Sequence, residues 1–317
     1  MRIGLVGVGN HARRNLLPAI EEASTTSLAA ICTRNESVRA STADQYGCRA
    51  YATLDELLGD DQIEAVVLAT PTGVHADDID SCLQAGKHVL CEKSLTHEPG
   101  RSAELVEAAE RAGLLLAEMF MFVHHPQWQA LEHLIRSEQL GAMRSVTARF
   151  GFPHLPPEDI RNQRHLGGGA LLDVGAYTIA AARRLLGEAT STWSHLETQA
   201  GHSVDTDGSA LVRSPHGAHA QLSWGFGRSY RNEVEVWCEK GTVRAERVFS
   251  KPASLGTSLR VQHQEGNRVE DIEIAPANHF VRMLDTLCGA ASQGQSAEWT
   301  REARRQAQWL EQMRGTP

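Results

Sequence analysis

From residue 2 to about 118, short apolar runs alternate with amphipathic stretches. A short apolar run bounded by turn residues reads as a strand buried on both faces, and an intervening stretch of period 3.6 reads as a crossover helix; their alternation is the pattern of βαβ units on a parallel sheet. The runs predict strands at Ile3–Val8, Leu28–Cys32, Ala65–Ala69, His88–Cys91 and Leu114–Glu118. Helices are expected at Arg13–Ala23, Thr53–Leu58, Val74–Ala85 and Gly100–Ala112. Gly59, Gly86 and Gly113 stand where left-handed caps would end three of them.

Beyond about residue 120 the texture changes. A helix is expected over Pro126–Ser137, a strand over Arg144–Phe150, and a long helix opening near Gly169-Ala170 after the Pro-rich stretch Pro153 to Pro157. Residues 191–274 hold several strand-like segments separated by turn residues, among them Ser209–Arg213, Ala218–Trp224, Glu233–Cys238 and Thr242–Arg247. Two helices, about 277–291 and 299–313, follow. The expected fold is therefore α/β. Residues 1–120 form a Rossmann domain with a doubly wound parallel sheet, and residues 121–317 an α/β domain with an open, mostly antiparallel sheet, whose last helix can pack back on the first domain.

Composition narrows the class. The 317 residues are 41% hydrophobic and 22% charged, as in a globular protein with a full core. No apolar run is long enough for a membrane-spanning helix, and the N-terminus runs straight into a strand without signal-peptide features; the expected location is cytoplasmic. The six cysteines, at 32, 48, 82, 91, 238 and 288, lack metal-binding spacing and read as reduced; no metal is expected. A net charge of -8 argues against nucleic acid or an anionic membrane as partner.

The first chemistry-bearing motif is Gly7-Val8-Gly9-Asn10-His11-Ala12, a G-x-G-x-x-A at a strand-to-helix turn. Gly7 permits the tight turn, Gly9 lets a pyrophosphate approach the backbone, and Ala12 allows close helix–strand packing, with the phosphates at the helix N-terminus. At the end of the second strand stand Cys32-Thr33-Arg34-Asn35. A carboxylate there would bind a ribose 2′-OH; Arg34 instead offers a fork suited to a 2′-phosphate, so NADP(H) is favoured over NAD(H). The alternative is an Arg34 that stacks on the adenine or stays solvated.

Three further stretches follow: Ala69-Thr70-Pro71-Thr72-Gly73-Val74-His75, Gly86-Lys87-His88-Val89-Leu90-Cys91-Glu92-Lys93, and Gly167-Gly168-Gly169-Ala170-Leu171-Leu172-Asp173-Val174-Gly175-Ala176-Tyr177. In this order and spacing they resemble the Gfo/Idh/MocA oxidoreductase family over essentially the whole chain. The resemblance implies that Thr70, Pro71, His75 and Glu92 line the cofactor and that Lys93 reaches the reacting oxygen, where its ammonium would stabilise developing negative charge. It also implies that Tyr177 transfers the proton, as in the subset of sugar ketoreductases and sugar and dihydrodiol dehydrogenases with Tyr where others have His, and that Asp173 orients substrate hydroxyls or Lys93. Asp173 and Tyr177, four apart on an expected helix, would share one face. Read alone, Lys93 is a surface lysine at a strand end, Tyr177 a half-buried aromatic and Asp173 a residue favoured by the helix dipole.

One position departs from the family pattern: Ser94 stands where Pro usually follows the Lys. The segments Glu118–Gln127 and Tyr230–Trp237 resemble sugar ketoreductases of deoxysugar pathways, which implies a sugar substrate, nucleotide-linked in the preferred reading. Arg161, His165 and Tyr230 are the expected substrate contacts beside Tyr177, with Arg164, Arg228 and Arg231 as further candidates for a diphosphate. His124 and His125 read as capping or core residues. The family further implies a homo-oligomer. The competing functions are a dehydrogenase of free sugars or dihydrodiols and a non-catalytic dinucleotide sensor of the same fold.

Overall fold

The computed structural model describes residues 1–314. The chain divides into two compact units: Met1–Phe120 with Phe280–Gln308, and Met121–His279 with the chain from Trp309 onward. Residues 280–308, placed by sequence in the second domain, thus group with the first. Ser24 Oγ and the Thr25 amide both donate to Asp285 at 3.0 Å, and the Leu116 amide donates to Thr300 Oγ1 at 3.3 Å.

The first unit carries strands β1 (Arg2–Val6), β2 (Ser27–Cys32), β3 (Arg49–Tyr51), β4 (Ala65–Leu68), β5 (His88–Glu92) and β6 (Leu116–Met119). They pair in parallel in the order β3-β2-β1-β4-β5-β6. All four side chains of β4 are buried, as a continuous apolar run in a central strand requires. The order reverses between β1 and β4, and in such sheets ligands bind beyond the carboxyl ends of the strands at that reversal.

The helices are α1 (Leu17–Glu22), entered through a π-helical turn at Ala12–Leu16, α2 (Glu36–Tyr46), α3 (Leu54–Leu58), α4 (His75–Gln84) and α5 (Pro99–Ala112). Sequence periodicity misses α2 because only Thr42 of its residues is buried; its caps, Asn35 accepting from Val38 N and left-handed Gly47, carry the signal instead. Gly86 and Gly113 are left-handed as expected, whereas Gly59, with φ of -68°, is not. The short α3 is secured at its other end, by a capping box between Thr53 and Glu56.

The second unit is built on an eight-stranded sheet: β7 (Met143–Phe152), β8 (Ser191–Glu197), β9 (Asp207–Arg213), β10 (His219–Phe226), β11 (Arg231–Cys238), β12 (Gly241–Glu246), β13 (Thr257–His263) and β14 (Val269–Ile274). The order is β14-β13-β12-β11-β7-β10-β9-β8, antiparallel except for the pair β7–β10. Helices α6 (Pro126–Arg136) and α7 (Ala176–Leu186) pack on one face. The other face leaves Trp193, Leu211 and Trp237 exposed.

Candidate active site

In the first unit, the chain leaves β1 at Gly7 with φ of +91°, a conformation costly for any residue with a Cβ. A Cβ there would also lie 2.7 Å from the Ala69 carbonyl carbon. The turn is therefore pressed against the end of β4, at the sheet reversal. At Gly9 a Cβ would meet no protein atom within 4 Å, which is the opening a pyrophosphate needs to reach the backbone. Ala12 is buried on the sheet side, and the Asn10 side-chain oxygen accepts from Arg13 at 2.8 Å.

His11, on this turn, reaches the end of β5: its Nε2 lies 2.8 Å from Glu92 Oε1. The Asn15 side-chain amide lies 3.1 Å from His11 Nδ1. A donating amide there puts a ring proton on Nε2, which donates to Glu92. Burial of Glu92 works against its charge, but His11 and then Lys93 outweigh it and hold the carboxyl below its ordinary range. Turn and strand end are thus joined into one cradle, with Lys93 on its rim. The Lys93–Ser94 peptide is cis.

His75, expected to line the cofactor, is fully buried. Its Nε2 is 2.7 Å from the Thr70 carbonyl, and its Nδ1 is 3.0 Å from the Ser94 carbonyl and 3.2 Å from Cys91 Sγ. Burial lowers the pKa of the imidazole and raises that of the thiol. Both carbonyl oxygens can only accept, so the ring donates to them through whichever nitrogen carries its proton, and His75 braces the cradle from within. Thr70 is held a second time, its hydroxyl donating to Asp78 at 3.0 Å, and Pro71 opens the turn Thr72–Val74 that leads into α4.

None of the residues Cys32-Thr33-Arg34-Asn35 that end β2 is a carboxylate. Thr33 is fixed through its carbonyl, which accepts from Arg39 at 2.9 Å, and Asn35 caps α2. Arg34 is exposed, and among the described residues no hydrogen bond or ion pair engages its guanidinium. A turn open at Gly9 and an uncommitted cation at the β2 end fit a dinucleotide bearing a 2′-phosphate.

The second unit holds the remaining candidates. Asp173 falls in a π-helical turn, Leu171–Gly175, and Tyr177 in the α-helix that follows. The four-residue spacing therefore bridges two helix types rather than one α-helical face. Tyr177 is 6% exposed. Its ring lies among Phe122, Phe150 and Phe249 with centroids 6.1, 5.4 and 5.8 Å away, and its hydroxyl is 3.5 Å from Met121 Sδ.

Arg161 Nε donates to Asp173 Oδ2 at 2.9 Å. The glycine tract sets this up. A Cβ on Gly168 would be 2.5 Å from the Arg161 carbonyl, and Gly169, with φ of +120°, makes room for the Asp205 carboxylate. Asp205 accepts from the Leu171 amide at 2.6 Å and its own carbonyl accepts from Ala170 at 2.8 Å, securing the entry to the helix. Sequence reasoning missed Asp205, since it lies over thirty residues from the turn it holds; the only hint was the third glycine.

His165 is exposed on the turn Arg164–Leu166. Tyr230 is 44% exposed and receives a hydrogen bond from Asn232 at 3.0 Å, and Asn232 also accepts from the Phe249 amide at 2.8 Å. Tyr230 is thus tied to the segment that packs on Tyr177. Of the other arginines, Arg164 donates to the Ser203 carbonyl, Arg228 pairs with Asp207 and Arg231 with Glu233. His125 caps α6 through Nδ1.

A sheet reversed beside a glycine turn that leaves space for a pyrophosphate defines a dinucleotide-binding α/β protein. Residues 1–120 match the oxidoreductase family with NAD-binding Rossmann fold, and residues 128–244 match the GFO/IDH/MocA C-terminal domain. The chain belongs to the Gfo/Idh/MocA oxidoreductase family.

Among its relatives, a dTDP-3,4-didehydro-2,6-dideoxy-alpha-D-glucose 3-reductase of Saccharopolyspora spinosa is 38% identical, covering 90% of this chain and 86% of that enzyme. The D-xylose 1-dehydrogenase (NADP(+)) 2 of Haloferax volcanii is 32% identical over 95% of this chain and 92% of that enzyme. In structure, a 3-ketoreductase from Actinomadura kijaniata, solved with NADP and TDP-benzene, matches with a TM-score of 0.93 and 33% identity, over 99% of this chain and 97% of that one. Among the described residues no helix is long and apolar enough to cross a membrane.

Proposed function

We propose that the protein is an NADP(H)-dependent ketoreductase that reduces a keto group of a nucleotide-linked deoxysugar. The observation that carries this reading is the first-unit cradle: His11 of the glycine turn bonded to Glu92, with Lys93 adjacent and an exposed Arg34 at the end of β2. The similarity to 3-ketoreductases over nearly the whole chain supports the substrate class.

When bound, the nicotinamide supplies the hydride. The groups of this chain handle charge and protons. The Lys93 ammonium stabilises negative charge growing on the carbonyl oxygen, and the Tyr177 hydroxyl delivers the proton that makes the alcohol. The apolar surroundings of Tyr177 exclude water from that hydroxyl. Asp173, oriented by Arg161, positions substrate hydroxyls. Arg34 pairs with the 2′-phosphate.

The similarity to a D-xylose dehydrogenase favours one second reading, oxidation of a free sugar with NADP. Consumption of NADPH with dTDP-3,4-didehydro-2,6-dideoxy-alpha-D-glucose, against reduction of NADP by D-xylose, separates the two. Full turnover retained by both Lys93→Ala and Tyr177→Phe would overturn the mechanism. The protein is further proposed to act in the cytoplasm as a homo-oligomer joined through the exposed sheet face of the second unit.

A further inference from the structure

We infer that Glu118 is a positioning residue for Lys93: from β6 it fixes the peptide group two residues beyond the lysine. This rests on the proposed role of Lys93. Glu118 lies opposite Cys91 in the β5–β6 ladder, and its Oε1 accepts from the Leu95 amide at 3.0 Å. β5 ends at Glu92, so the backbone after it no longer runs in the ladder. Ser94 has no ring to fix its φ. The chain is instead held by what surrounds it.

Ser94 is fully buried with its carbonyl against His75, and the Leu95 side chain is 1% exposed within the first-unit core. On the near side, Glu92 is fixed by its bond to His11. Lys93 therefore leaves a backbone clamped before and after it, with the Glu118 carboxyl group holding the chain beyond it. A backbone amide held by a carboxylate is a charge-assisted bond, stronger than the neutral bonds of the strand ladder. Precision matters here because stabilising the charge on a reacting oxygen depends on where the ammonium stands to within about 1 Å, an error that can cost about 100-fold in rate.

Kinetics with dTDP-3,4-didehydro-2,6-dideoxy-alpha-D-glucose and titration with NADPH test this. Glu118→Ala should lower kcat by about 10-fold or more while the Kd for NADPH stays within about twofold, since the glycine turn and Arg34 are untouched. Glu118→Gln, whose amide oxygen can still accept from Leu95, should recover most of the loss. If Glu118→Ala fails to fold, Glu118→Met, which keeps the bulk without the acceptor, takes its place. A kcat within twofold of wild type, a parallel loss of kcat and NADPH affinity, or a Glu118→Gln variant no better than Glu118→Ala would overturn the inference. Lys93→Ala separates the two levels. If it is inactive while Glu118→Ala is fully active, only the positioning role fails; if it keeps full turnover, the proposed function of Lys93 fails and this role with it.

Discussion

Arg161 donates from Nε to Asp173 Oδ2 across 2.9 Å, and its Nη1 reaches Asp159 Oδ1 at 3.1 Å. Asp173, outweighing burial, raises the pKa of the guanidinium. In the proposed mechanism, an arginine held this way acts on the substrate through the carboxylate it orients. Arg161→Gln should therefore lower kcat by about 10-fold, the loss of one charge-assisted bond, and leave the KM for the sugar nucleotide within about threefold. Steady-state kinetics decide it: a rise in KM with kcat unchanged would mean that Arg161 meets the substrate's phosphates directly.

The glycine turn separates two roles that the motif merges. Gly7→Ala forces a Cβ into the Ala69 carbonyl at a φ of +91°, so it should lower Tm by several degrees, as a strain of about 1–3 kcal/mol would. Gly9→Ala places its methyl in space that no protein atom occupies. Tm should stay unchanged while the Kd for NADPH rises about 10-fold or more. Thermal melts with and without NADPH measure both. Equal loss of stability in the two variants would contradict this account of the turn.

The contrast explains how much of the protein was legible from its residues. The parallel sheet was readable because β1, β2, β4 and β5 are continuous apolar runs, and the cradle because Gly7, Gly9, Glu92 and Lys93 are local motifs. The polar helix α2 was not, since it buries almost nothing. The bond from Arg161 to Asp173, the support of Ala170 and Leu171 by Asp205, and the hold of Glu118 on Leu95 lie in side-chain contacts between segments that no spacing rule relates. The bracing bonds of His75 to Thr70 and Ser94 were not legible either, because a motif records that a residue is needed without recording whether it faces the ligand or braces the loop.

The open sheet face forms one continuous row. Trp193 pairs with Leu211, Leu211 with Gln221, Gln221 with Thr147 and Thr147 with Glu235, two residues before Trp237. Trp193, Leu211 and Trp237 are 59%, 51% and 63% exposed, large apolar side chains flanking the polar Gln221, Thr147 and Glu235, of the kind that self-association covers. Trp193→Glu combined with Trp237→Glu should shift sedimentation toward monomer without lowering Tm at high dilution. A wild-type protein that sediments as a monomer at all concentrations would sink the proposed homo-oligomer.

Lys251 gives the stability a defined pH dependence. It is 8% exposed, and its Nζ donates to Gln127 Oε1 at 2.9 Å. Burial alone pushes its pKa down to about 7. Below that value the folded and unfolded chains both carry the proton, and the folded one bears the cost of a desolvated ammonium. Between about pH 7 and the ordinary lysine value the unfolded chain binds more protons, so stability rises with pH, at most by about 1.4 kcal/mol per unit. Above the ordinary value the contribution is flat. Lys251→Met removes the titration but leaves Gln127 Oε1 without its donor. Urea unfolding at about pH 6 and about pH 9 should then show wild type gaining on the variant as pH rises, since the deprotonated amine still donates to Gln127. A difference between the two proteins that does not change with pH would mean that Lys251 keeps an ordinary pKa.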